Sequence, residues 1–175
     1  MSHGRALPAV AVVLRVMAPK PQFAPVEAHA PADAFRPNSG DKEQAKKTGE
    51  PVRVSVWDQA LTSLAQIHAM RGLAEAYTYR LAVDDVTQLA QSLPHARLRV
   101  VYEVLDEPLR SRPGAEGHGG IEGLDRLPGE ANDLYQERLR QIAKLARFAP
   151  LPARSPAARL TSASAASSLV GRSRS

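Results

Sequence analysis

Apolar side chains recur with the period of a strand or a helix only between Pro51 and Phe148. That pattern limits the fold more than any other feature, because only a segment with one apolar face can collapse against another. Val52, Val54 and Val56 alternate with Arg53, Ser55 and Trp57, which predicts a strand ended by Asp58. Ser63 and Gln66 have capping-box spacing, and Gly72 sits where a helix-ending glycine belongs, so a short helix is expected at 63–71. Tyr77, Tyr79, Leu81 and Val83 share a face and predict a second strand. Asp84 or Asp85 caps a second short helix, which Pro94 stops. Leu98, Val100 and Tyr102 define a third strand over 97–103. Residues 105–131 carry six Gly and three Pro and read as a long loop, with a brief strand or turn open at 120–124. A longer helix at about 132–148 presents Leu134, Leu139, Ile142, Leu145 and Ala146.

The order β-α-β-α-β-loop-α predicts a small two-layer α/β or α+β domain. Its sheet has three strands, or four if 120–124 pairs, with two short helices and one longer C-terminal helix. The helices between strands are too short to decide between a parallel and a mixed sheet.

The flanks read differently. Five prolines between Pro19 and Pro37, then a polar run from Asn38 to Lys47 without an apolar stripe, predict a disordered Pro-rich leader and linker over 1–50. Residues 149–175 are Pro, Ala, Ser and Arg, and predict a disordered basic tail. The apolar run at 6–18 is interrupted by Arg15 and is shorter than the roughly 20 residues a membrane span needs. It suits a flexible leader, an over-extended gene start or a transit segment. Charge follows the same division: net +2 over 1–50, −1 over 51–148 and +4 over 149–175. The core carries no basic stripe of the kind nucleic acid requires. Any such association would fall to Arg154, Arg159, Arg172 and Arg174 in the tail.

The chain has no Cys, which excludes disulfides, thiolate metal sites and a cysteine nucleophile. Together with the lack of a spanning segment, this points to the cytoplasm. The segment Gly117-His-Gly-Gly-Ile-Glu-Gly123 is the most unusual in the sequence. Its glycines let backbone approach a ligand, with His118 as acid or base and Glu122 as an orienting carboxylate. It matches neither a phosphate-binding loop nor a dinucleotide fingerprint. His118 and Glu122 are too few for zinc, so no metal or cofactor is expected. Trp57 and Asp58 at the end of the first strand form a second candidate, with Asp58 equally explained as a turn cap. The catalytic candidates are therefore His118, Asp58 and Glu122, and the pocket candidates Trp57, Gly119 and Gly120.

Three functions follow. The first is an interaction or accessory module working on a protein partner through a sheet edge or the last helix. The second is a small enzyme acting on a polar or phosphate-bearing substrate, with Asp58 or Glu122 beside His118, which predicts that Trp57, Asp58 and His118 converge in one pocket. The third is nucleic-acid association through the tail.

Overall fold

The computed structural model describes residues 4–150, and the expected basic tail lies almost wholly outside them. Ten regular elements follow one another: β1 (Val12–Met17), α1 (Ser39–Thr48), β2 (Arg53–Asp58), α2 (Leu64–Arg71), β3 (Tyr77–Ala82), α3 (Val83–Ser92), β4 (Arg99–Tyr102), β5 (His118–Glu122), α4 (Asn132–Leu145) and β6 (Arg147–Phe148). The strands form one antiparallel sheet in the order β4-β5-β2-β1-β3-β6. The fold is a small α+β domain with four helices.

Three expectations are corrected. The sheet has six strands rather than three or four. The folded body does not begin at Pro51, because β1 lies in the middle of the sheet between β2 and β3. The third correction is that the sheet is covered on both faces, not one.

β1 escapes the periodic reading because it is buried on both sides, and such a strand is a continuous apolar run rather than an alternation. Val13 and Met17 join the larger core, while Leu14 and Val16 join the smaller one on the opposite face. α1 escapes because no residue of it is buried. Local signals hold it instead: an Asn38–Asp41 capping box at one end and Gly49 in the left-handed conformation at the other. β5 starts two residues before the brief strand or turn left open at 120–124, because His-Gly-Gly has little strand propensity of its own and pairing with β2 and β4 on both sides fixes it.

The larger core gathers Val54, Val56, Tyr79, Leu81, Val100 and Ile121 from the sheet beneath α3, α4 and Phe35. The smaller one packs Leu14, Val16 and Trp57 under Ile67 and Met70 of α2, with Ala115. Alternation along antiparallel neighbours puts Arg53, Ser55 and Trp57 on the same face as His118, Gly120 and Glu122. α2 covers only the Trp57 end of that face. Both sheet edges are occupied by the chain itself. Residues 4–7 bond β4 through Gly4 N to Tyr102 O at 2.8 Å and Leu7 N to Val100 O at 2.9 Å. Residues 28–30 bond β6 through Phe148 N to Ala28 O at 2.9 Å. The buried side of α4 is likewise taken up by the core.

Arg15 explains how β1 meets β2. Their register stops after Val13↔Asp58 and Leu14↔Trp57, while β1 pairs with β3 along its whole length. Into the gap goes the buried Arg15 guanidinium. Its Nε donates to the Ala34 carbonyl at 2.8 Å and its Nη1 to the Ser55 carbonyl at 2.7 Å. Burial lowers its pKa to about 10. Arg71 of α2 closes the same gap by donating to the Val16 carbonyl.

Candidate functional site

A cleft of about 330 Å³ opens over the uncovered part of the sheet. Its floor is Arg53, Ser55 and His118; α1 forms one wall and residues 104–109 the other. The volume lies near the lower end of what small-molecule sites use, roughly 300–1,000 Å³.

His118 begins β5 directly opposite Trp57 of β2. The two rings meet edge to face with centroids 4.6 Å apart. With Trp57 against it, the imidazole is nearly dry, and burial lowers its pKa to about 4. It is therefore neutral near pH 7. Its tautomer follows from its partners. Nδ1 lies 3.3 Å from the Glu103 carbonyl, which can only accept, so Nδ1 carries the hydrogen. Nε2 is then an acceptor, and it lies 2.9 Å from Ser55 Oγ, which donates. The Glu103 carboxylate stands 3.7 Å from Nδ1. A hydroxyl, an imidazole and a carboxylate thus stand in line at the floor of the cleft.

Gly119 and Gly120 of β5 are not among the residues that line the cleft; each makes room for a neighbour. A Cβ on Gly120 would come within 2.7 Å of Arg53 Cβ, so the glycine lets the Arg53 stem cross the strand. A Cβ on Gly119, on the other face, would come within 2.6 Å of the Val101 carbonyl oxygen. Arg53 then donates from Nε to Glu122 at 2.9 Å and from Nη1 to Glu50 at 2.7 Å, with Glu103 at 3.7 Å. On the α1 wall, Asp41 accepts from the Asn38 backbone at 2.8 Å. Burial raises its pKa, opposed by that bond and by Arg15 and Arg71.

The residues singled out from sequence divide accordingly. His118 lies in the cleft and Trp57 packs behind it. Asp58 does not join them: alternation turns it to the opposite face, where it accepts from the Ala60 backbone at 2.9 Å and from the Tyr102 hydroxyl at 2.8 Å. Tyr102 has its pKa raised to about 12 by burial and by that carboxylate. Glu122 shares the face of His118 but is clamped between Arg53 and Arg99. Ser55 and Glu103 were missed. Alternation already put Ser55 beside Trp57, but nothing local pairs either residue with a histidine far along the chain.

Among the described residues no group of three or more His, Cys, Asp or Glu is placed to hold a metal ion. No helix among them is long and apolar enough to cross a membrane. No protein-family model, curated protein or solved structure matches the chain.

Proposed function

We propose that this protein is a small enzyme for acyl transfer or hydrolysis, with Ser55 as nucleophile and His118 as its general base. The observation that carries the reading is the Ser55 Oγ to His118 Nε2 hydrogen bond of 2.9 Å, made in a cleft by an imidazole whose other nitrogen is tied to Glu103. A nucleophile within hydrogen-bond reach of a base, itself oriented by a third group, is the arrangement that activates a hydroxyl.

In the first step Ser55 Oγ attacks the acyl carbon of an ester or amide, and its proton passes to Nε2. The imidazolium so formed faces the Glu103 carboxylate at 3.7 Å, which stabilises the charge only once it has appeared. Nε2 returns the proton to the leaving alcohol or amine. Water, deprotonated by the same nitrogen, then attacks the acyl carbon, and Nε2 hands that proton to Ser55 Oγ as its bond to the acyl group breaks and the acid leaves. Asp58, clamped to Tyr102 on the far face, takes no part. Glu122 holds Arg53 in place across the floor.

The test is turnover of p-nitrophenyl hexanoate, with intact-mass detection of an acyl adduct on the unaltered chain. Ser55→Ala and His118→Gln are expected to lower kcat/KM by at least about 100-fold, the ordinary worth of general-base help. Glu103→Gln should lower kcat more than it changes KM. Ester turnover that survives in Ser55→Ala, together with no adduct on the unaltered protein, refutes the assignment.

A further inference from the structure

A second cavity, of about 310 Å³, lies at the N-terminal end of α2, over Leu14, Thr78 and Arg80 of the sheet. Three of its features favour an anion. The first is the helix end. Ser63 and Gln66 bond each other across the capping box, but the Leu64 and Ala65 N–H groups have no partner among the described residues. Leu64 lines the cavity, and unpaired amides at the positive end of a helix dipole attract negative charge. The second is Thr78. Its backbone is bonded into the sheet on both sides, to β1 and to Ala149, so it meets the cavity with its side chain. It is 3% exposed, and its hydroxyl has no hydrogen-bond partner among the described residues. A buried hydroxyl left unpaired carries a cost that a ligand oxygen removes. The third is a pair of like charges. Arg80, which lines the cavity, stands directly opposite Arg147 in the β3–β6 ladder. Both rise from one face, as Tyr79 and Phe148 do from the other with ring centroids 5.9 Å apart. Like charges directly opposite each other destabilise a sheet. Neither arginine has an ion pair among the described residues. No carboxylate lines the cavity, and residues 149–175 contain no Asp or Glu.

From the unpaired amides, the orphan hydroxyl and the two arginines together, we infer that this cavity binds a phosphomonoester with a small apolar body. The phosphate oxygens accept from the first turn of α2, from the Thr78 hydroxyl and from the Arg80 guanidinium, whose fork suits them. Arg147 beside it answers the second charge that a phosphomonoester carries near pH 7 and a carboxylate does not. Leu14, Ala149 and Pro150 supply the apolar part of the lining, against which the organic group packs. The cavity shares no lining residue with the Ser55–His118 cleft, so the inference is independent of the catalytic assignment.

Titration calorimetry of the full chain with phenyl phosphate tests this, beside inorganic phosphate and benzoate at matched ionic strength. Phenyl phosphate should bind one-to-one and more tightly than either. Arg80→Gln, at an exposed position, should weaken it about tenfold, the worth of one charge-assisted contact. Thr78→Val, close in shape, and Arg147→Gln should each weaken it several-fold. Phenyl phosphate should also raise the thermal unfolding midpoint of the unaltered chain, and raise that of Arg80→Gln much less, because a ligand stabilises only the fold that binds it. No binding of phenyl phosphate, or the same affinity in Arg80→Gln as in the unaltered chain, overturns the site. Inorganic phosphate binding as tightly as phenyl phosphate overturns the apolar body, and benzoate binding as tightly overturns the choice of phosphate.

Discussion

The stem of Arg53 crosses β5 over Gly120, where any Cβ would come within 2.7 Å of Arg53 Cβ. Glycine is kept there by a neighbouring side chain, not by the backbone. Gly120→Ala should therefore displace Arg53 and cost about 1–3 kcal/mol, the usual range for overpacking. Gly119→Ala should cost more, because its Cβ meets the Val101 carbonyl oxygen at 2.6 Å and backbone in the middle of a ladder cannot swing aside. Urea denaturation of the two variants ranks them; a milder effect at Gly119 contradicts the packing described.

Stability should fall on mild acidification because of His118. Its ordinary pKa is 6.5 and the folded environment lowers it to about 4. Between those values the unfolded chain binds a proton that the folded chain refuses, so stability rises with pH across this window and levels off above it. The contribution from this one group is about 3 kcal/mol across the window. Unfolding midpoints at about pH 4.5 and pH 7 should differ less in His118→Gln than in the unaltered protein. Equal differences in the two proteins would show that His118 is protonated, or solvated, in the fold.

Arg15→Met should be strongly destabilising despite similar bulk. It strips the donors from the Ala34 and Ser55 carbonyls, which the guanidinium meets at 2.8 and 2.7 Å. An unsatisfied buried acceptor costs about 1–3 kcal/mol, so the loss should be roughly 2–5 kcal/mol. The Ser55 carbonyl lies directly under the candidate nucleophile, so ester turnover should fall in kcat even where the variant is still folded. Arg15→Lys, with one ammonium in place of a fork, should recover only part of either loss. Full recovery by lysine would argue against a two-carbonyl bridge.

A chain beginning at Pro51 should not fold cooperatively. It keeps every element with clear periodicity but loses β1, leaving β2 and β3 without the strand that joins them. Val13, Met17, Ala30, Ala34 and Phe35 would leave the larger core with it. Circular dichroism melts of this fragment should lack a sigmoidal transition; a melt matching that of the whole chain would show that the first fifty residues are an appendage after all.

The Ser63–Gln66 capping box, the αL glycine after α2 and the alternation of β2 and β3 were legible because they are local: three or four residues suffice to state them. α4 was legible as an amphipathic stripe, although it ends at Leu145 and hands Arg147–Phe148 to the sheet. His118 stood out by its glycines, yet the reason for those glycines was different. Gly120 answers Arg53, 67 positions away, and no window of neighbouring residues contains both.

The sequence by itself determined where α2 starts and stops, which residues of β2 and β3 share a face, the absence of thiol chemistry and the neutrality of the 51–148 stretch. Only the tertiary structure decided that an apolar run with an arginine in it is the central strand and that His-Gly-Gly is extended. It alone brought Ser55, His118 and Glu103 to one floor and sent Asp58 to the other side. Period and propensity are properties of adjacent residues. Burial on two faces and the meeting of distant side chains depend on which strands pair, and in this sheet the order of pairing is not the order of the chain.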